Sequence, residues 1–168
     1  MRSLFTIGYE GAKIPDFVAT LEGARVSLVL DVRELPLSRR PGFSKSALEA
    51  FLRDAGIGYR HERRLGAPTD IRHRLREDGD LPRYFKAFDR YLMTQIEFLT
   101  GLVDELSGAV ALLCYERNPE ECHRKAVAAA VSEITGLQVK HLGVNEGSAK
   151  KNEIKAPRIH PRQSLSAA

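Results

Sequence analysis

Residues 109–124, Ala109-Val110-Ala111-Leu112-Leu113-Cys114-Tyr115-Glu116-Arg117-Asn118-Pro119-Glu120-Glu121-Cys122-His123-Arg124, carry the reading on which the fold turns. Ala109 to Leu113 is an unbroken apolar run, the pattern of a strand covered on both faces. It stops among side chains that offer a thiolate, a carboxylate, an imidazole and a guanidinium. Asn118 is a good N-cap, Pro119 suits a first helical position, and Glu121 completes a capping-box-like spacing. A helix is therefore expected from Pro119 to Thr135, ended by Gly136. A strand, a short polar loop and a helix N-terminus form the usual ligand crevice of an open α/β sheet.

Outward from this stretch the same alternation recurs. Leu4 to Gly8 reads as a first strand, followed by a helix with Ile14, Phe17, Val18 and Leu21 on one face, closed by Gly23. Ser27 to Val32 is a second apolar strand, running into Asp31-Val32-Arg33-Glu34. Residues 35–43, with Pro36, Pro41 and Gly42, form a loop. Ser46-Ala47-Leu48-Glu49 has capping-box spacing, and Leu48, Phe51, Leu52 and Ala55 give the buried stripe of a helix reaching Gly56. Ile57 to Glu62 is a shorter, more polar strand, suited to a place near an edge. Leu65 to Pro68 is a turn. Leu81 to Leu106 is largely helical, with Phe85, Phe88, Leu92, Leu99, Val103 and Leu106 facing inward and Gly101 as a point of division. Leu137 to Leu142 is the last strand. The expected fold is a single-domain, three-layer α/β architecture, with a mainly parallel sheet of about five strands and helices on both faces. A (β/α)₈ barrel needs roughly 250 residues and is excluded by length.

The chain has 168 residues, 43% of them apolar, enough for one core over residues 1–142. No run approaches the roughly 20 apolar residues that span a bilayer, so no membrane partner is expected. The N-terminal residues are too polar for a secretory signal. Two cysteines near one site do not make a disulfide framework, which points to a reducing, cytoplasmic setting. The formal charge is +4, but residues 143–168 hold five basic against two acidic residues, a net of +3. The body is thus nearly neutral, and residues 143–168 read as a basic tail, disordered or loosely docked. Arginines are dense between Arg60 and Arg76, either as a solvated face or as a phosphate-facing patch.

In a parallel sheet every strand delivers its C-terminal end to one edge. That edge should gather Tyr9 and Glu10, Asp31 and Arg33, Cys114 and Glu116, and His141, with Ser38 and Arg39 within reach on the following loop. Asp31, inside an apolar run, needs a cationic partner, and Arg33 or Arg124 would serve. Glu116 is the foremost catalytic candidate, with Asp31 as a second carboxylate and Cys114 beside them. Tyr9, Glu10, Arg33, Ser38, Arg39, Cys122, His123 and Arg124 are substrate-binding candidates, the arginines as bidentate anion binders. Cys122 is expected in the first turn of its helix, where the dipole lowers a thiol pKa while Glu120 and Glu121 oppose it. Cys114, Cys122, His123 and His141 have metal-ligand atoms, but their spacing matches no standard zinc pattern, so neither metal nor cofactor is assigned. There is no G-x-x-x-x-G-K-[ST], no G-x-G-x-x-G and no Cys-x5-Arg, which disfavours P-loop, Rossmann dinucleotide and thiol-phosphatase chemistry.

Thr6-Ile7-Gly8-Tyr9, Asp31-Val32-Arg33 with Pro36, Ser38 and Arg39, Phe43-Ser44-Lys45, Gly56-Ile57-Gly58-Tyr59, Leu65-Gly66, Leu113-Cys114-Tyr115-Glu116 and Cys122-His123-Arg124 together cover most of residues 4–142. In this set the chain resembles the bacterial and archaeal family catalogued as domain of unknown function 488. The resemblance implies an α/β domain with a polar site and brings no established reaction. A fainter similarity is to rhodanese-like domains, which also show Asp-Val-Arg-Glu after a strand and a later strand-Cys-loop-helix. The loop after Cys114 has no glycine, however, and is a poor cradle for an anionic persulfide.

The expectation is therefore an enzyme acting on a nucleotide, nucleoside or nucleic-acid-derived substrate, by hydrolysis or transfer at a glycosidic or phosphoester bond. The alternatives are a non-enzymatic nucleic-acid-binding module that uses the arginine patch and tail, and rhodanese-like thiol chemistry at Cys114 or Cys122. The sequence leaves the oligomeric state open.

Overall fold

A computed structural model describes residues 1–150. Its five strands are β1 (Ser3–Gly8), β2 (Leu28–Asp31), β3 (Gly58–His61), β4 (Ala109–Cys114) and β5 (Val139–Leu142). They form one sheet in the order β3-β2-β4-β1-β5, and every pairing is parallel. The α-helices are α1 (Ile14–Gly23), α2 (Lys45–Asp54), α3 (Thr69–Asp78), α4 (Leu81–Met93), α5 (Ile96–Glu105) and α6 (Arg124–Thr135).

Alternation along the strands divides the apolar residues between two cores. Phe5, Ile7, Val29, Ala111 and Leu113 pack with Phe17 and Leu21 of α1 and Leu48 and Leu52 of α2. Leu4, Leu30, Val110 and Leu112 pack on the opposite face with Phe88, Leu99, Leu102, Val127 and Val131 from α4, α5 and α6. This is the expected three-layer α/β fold. The polar strand β3 lies at one edge and β5 at the other.

The sheet order also locates the crevice. The chain leaves β2 toward the β3 edge and leaves β4 past β1 toward the β5 edge. These neighbouring strands send their connections in opposite directions, so a groove opens above their carboxyl ends, at Asp31 and Leu113, which lie in register.

Several local expectations give way to packing. Asn118 caps only a single 3₁₀ turn, Pro119–Glu121, by accepting from the Glu120 N–H at 3.0 Å. Cys122 is extended, and α6 begins at Arg124, so Cys122 does not lie in the first turn of an α-helix. The Ser46 capping box is not used. Helix α2 starts after Ser44, whose hydroxyl closes the preceding loop by donating to the Ser38 carbonyl and accepting from the Ser38 N–H. The break between α4 and α5 falls at Thr94-Gln95, where Thr94 Oγ1 donates to the Tyr91 carbonyl, and Gly101 lies within α5. Phe51, placed on the buried stripe of α2, is 45% exposed. Helix α3 was not expected at all. None of its residues is fully buried, and its only apolar side chains, Ile71 and Leu75, are too few to make a periodicity that can be read.

Of the expected basic tail, residues 143–150 are described and the rest lies outside the described residues. Asp16 of α1 accepts from the Gly147 and Ala149 N–H groups at 3.1 and 3.0 Å, docking this segment.

Candidate functional site

A cleft of about 790 Å³ occupies the carboxyl edge of the sheet, within the usual size of small-molecule sites. The exit of β2 and its loop supply Arg33, Ser38 and Arg39, and α3 supplies Arg72 and Arg76. Tyr84 comes from α4, and the exit of β4 supplies Cys114 and Glu116.

One wall is an ion-pair network. Asp31 is fully buried and takes a bidentate pair from Arg33, Nε to Oδ1 at 2.8 Å and Nη2 to Oδ2 at 2.6 Å. The Arg33 backbone N–H and the Tyr59 hydroxyl also donate to it, at 3.1 and 2.7 Å. Arg33 Nη1 donates to the Tyr9 hydroxyl and the Phe43 carbonyl. Burial alone would lower the Arg33 pKa, but hydrogen bonding and attraction to Asp31 hold it above its ordinary value. Burial, and then the Asp31 charge, push the Tyr59 phenol up. Asp31 therefore has the cationic partner its burial requires, and that partner is Arg33. Asp31 itself does not line the cleft.

The floor is the end of β4. Gly8 lies opposite Cys114 in the β1–β4 register, and a Cβ at Gly8 would fall 1.8 Å from the Glu116 carbonyl oxygen. Only glycine lets the loop after β4 lie this close to β1. Arg124 is 1% exposed and grips the same loop, donating to the carbonyls of Glu116 and Arg117 and to Thr6 Oγ1. Its guanidinium is committed to the protein rather than open to a ligand. Glu116 is half-buried, and its carboxylate accepts from the Cys114 thiol at 3.3 Å.

Behind Glu116, Cys114 Sγ lies 3.7 Å from His123 Nδ1, and His123 Nε2 donates to the Val32 carbonyl at 2.7 Å. A carbonyl can only accept, so the proton sits on Nε2 and Nδ1 faces the thiols with its lone pair in the neutral ring. Cys122 is completely buried, and burial followed by its hydrogen bond with Cys114 raises its pKa well above the ordinary thiol value. Burial pulls the His123 pKa down, but Cys122 and the Val32 carbonyl outweigh it and leave it raised. The ligand atoms of Cys114, Cys122 and His123 all lie within 4.8 Å of one another. His141 is not among them. It lies on the edge strand β5, where its Nδ1 bonds Thr6 Oγ1 at 2.7 Å.

The remaining candidates divide. Ser38 and Arg39 line the cleft, and Ser38 Oγ accepts from the Arg40 N–H, shaping the loop. Tyr9 lines it too, stacked on Phe43 at 4.5 Å. Glu10 lies outside, exposed, accepting from the Arg117 N–H at 2.9 Å. The structure adds residues that the sequence did not place at the sheet edge, although Arg72 and Arg76 belong to the arginine-dense stretch read as a solvated face or a phosphate-facing patch. Arg76 and Arg72 belong to the unread helix α3. Tyr84 falls within the stretch expected to be helical, and it lines the cleft, its phenol pushed up by burial and then by Glu116. Among the described residues, Arg39 and Arg76 are the cleft arginines whose side chains have no hydrogen-bond or ion-pair partner. Arg72 is bound to Glu34, and Arg40 Nε donates to the Ala12 carbonyl.

The dense arginines from Arg60 to Arg76 are largely paired within the protein. Arg60 binds Glu62 and Glu105, Arg63 lies 3.8 Å from Glu34, and Arg64 donates to Gln95 and covers the Phe98 ring. No helix among the described residues is long and apolar enough to cross a membrane.

A family model described as Domain of unknown function DUF488 matches residues 13–131. Nothing among curated proteins or solved structures matches the chain.

Proposed function

Because the chain belongs to the family described as Domain of unknown function DUF488, whose name assigns no reaction, we propose a function from the cleft alone. It is an enzyme that acts on a phosphate-bearing nucleotide, or a nucleic-acid-derived fragment of that kind, by hydrolysis or transfer at a glycosidic or phosphoester bond. The observation that carries this reading is that unpartnered arginine side chains line one cleft together with a carboxylate and a phenol.

In this reading Arg39 and Arg76 receive the phosphate, since a free guanidinium can bind two of its oxygens at once. The exposed ring of Tyr115 offers a face to a base. Glu116 moves the proton as general acid or base, and the neutral Tyr84 hydroxyl donates a hydrogen bond toward charge that develops beside it. Asp31 has no direct part, and acts through Arg33 to hold the β2 exit in place. Both cysteines are free, which suits a reducing compartment such as the cytoplasm.

A panel of nucleotides, nucleosides and short oligonucleotides, read by product analysis, tests the proposal. Glu116→Gln should lower kcat by about 10²–10⁴ on whichever substrate reacts, the usual worth of a general acid or base. Arg39→Ala and Arg76→Ala should act mainly on KM. A substrate turned over equally well by Glu116→Gln would overturn the assignment. The nucleic-acid-binding alternative is less favoured because most of the arginine patch is already paired. It requires affinity that falls steeply with salt and ignores Glu116→Gln.

A further inference from the structure

We propose that Cys114, Cys122 and His123 form a binding site for one thiophilic divalent metal ion of the zinc class, with its fourth coordination position open to the cleft beside Glu116. This inference does not depend on the substrate or reaction proposed above.

The first argument is convergence. With metal–sulfur bonds of about 2.3 Å and metal–nitrogen bonds of about 2.0 Å, tetrahedral ligand atoms lie about 3.5 to 3.8 Å apart. Cys114 Sγ and His123 Nδ1 are 3.7 Å apart, and the Cys122 sulfur lies within 4.8 Å of both. A shift of a few tenths of an ångström to about one ångström at Cys122 closes the set. The three residues come from two elements, the end of β4 and the residues entering α6. Rigid secondary structure therefore does the work that a short Cys-x-x-Cys spacing does in a zinc finger.

The second argument is the outer hydrogen bond. A ligating histidine usually gives its other N–H to a carbonyl or carboxylate, which fixes the tautomer and aims the lone pair. His123 Nε2 does this with the Val32 carbonyl at 2.7 Å, leaving Nδ1 directed at the thiols. Phe88 packs edge-on against the same ring at 5.1 Å and restrains its tilt.

Charge decides the class of ion. All three residues are buried, and a buried uncompensated charge is costly. Two thiolates and a neutral imidazole cancel a dication, whereas a monovalent ion would leave a net negative charge. Binding forms two metal–sulfur bonds and one metal–nitrogen bond and releases the two thiol protons to solvent. Two sulfurs and one nitrogen suit a borderline-soft ion over magnesium or calcium. Glu116 touches Cys114 at 3.3 Å but stands outside the three-residue group, on the cleft side. Three protein ligands with one open position mark a reactive metal centre rather than a closed structural one.

The test uses the full chain, reduced with a phosphine, stripped with a chelator and titrated with Zn(II) or Co(II). The expected result is one metal per chain, and for Co(II) a sulfur-to-cobalt charge-transfer band with intense tetrahedral visible bands, both abolished by Zn(II). Cys114→Ser and Cys122→Ser should each weaken or remove the charge-transfer band, and Glu116→Gln should retain it. Should the serine variants not fold, calorimetry on the unaltered chain in buffers of different ionisation enthalpy should report proton release on binding. Absence of stoichiometric binding by the reduced chain overturns the site, as does a Co(II) spectrum without thiolate charge transfer. These readouts need no substrate, so the metal site and the proposed reaction stand or fall separately.

Discussion

Asp31 accepts from four donors, the Arg33 backbone N–H, Nε and Nη2 and the Tyr59 hydroxyl, in a place that solvent does not reach. Its role is to fix Arg33, which in turn fixes Tyr9 and the Phe43 carbonyl. Asp31→Asn leaves the Arg33 charge buried without its counterion and should cost about 3–5 kcal/mol, read as a lower urea midpoint with an unchanged slope. A loss below about 1 kcal/mol would show that the network does not hold the wall. The residue identities around Asp31 were legible in sequence, because a carboxylate inside an apolar strand requires a partner. Which arginine answered was not legible, since Arg124 lies on a helix whose approach to the sheet only packing sets. Gly8 is similar. Its place in the first strand was readable, whereas the need for a missing Cβ follows from the Glu116 carbonyl arriving from a strand more than 100 residues away.

At the scale of elements, α3 is held by polar contacts together with Ile71 and Leu75, which pack partly buried against the core beside α4. It buries no residue fully, and Glu34 ties it to the β2 exit through Arg72 and the Thr69 hydroxyl. Burial would raise the Glu34 pKa, but these bonds outweigh it and leave it below the ordinary 4.5. A carboxyl with a depressed folded pKa contributes stability above its unfolded pKa, and loses it as pH falls through the folded value. Protection of the α3 amides, taken relative to their intrinsic exchange rates, should therefore fall selectively as the pH drops below about 4.5. Glu34→Gln should show lower protection of α3 at neutral pH and little further loss of protection in acid. Equal protection of α3 in both proteins across this range would refute the latch. Because α3 carries Arg72 and Arg76, its loosening would open one wall of the cleft.

For the whole molecule, the parallel sheet places the ends of β2 and β4 at one crevice, and the helices close both faces. A ligand that fills the crevice binds only the folded state, so it raises stability by about 2.7 kcal/mol when present at a hundred times its dissociation constant. For a chain of this size, at about 2–4 °C per kcal/mol, that should lift Tm by about 5–11 °C. A phosphorylated nucleoside should produce the shift where the unphosphorylated one does not, and Arg39→Ala combined with Arg76→Ala should erase it. Equal shifts from both nucleosides would remove the phosphate from the reading.

The linear chain by itself determined the five strands, their parallel arrangement and the edge on which the polar residues meet, because alternating apolar runs and polar exits are local patterns set by burial. It also determined that Tyr9, Arg33, Arg39, Cys114 and Glu116 belong to that edge. Tertiary structure alone decided which of those groups face the cleft and which are spent on the protein. Arg33 and Arg124 give their donors to Asp31 and to loop carbonyls, and Cys122 turns inward from an extended residue rather than a helical one. The reason is that a buried donor must be satisfied by whatever acceptor packing brings to it. That acceptor can lie anywhere in the sequence, so local spacing carries no record of it.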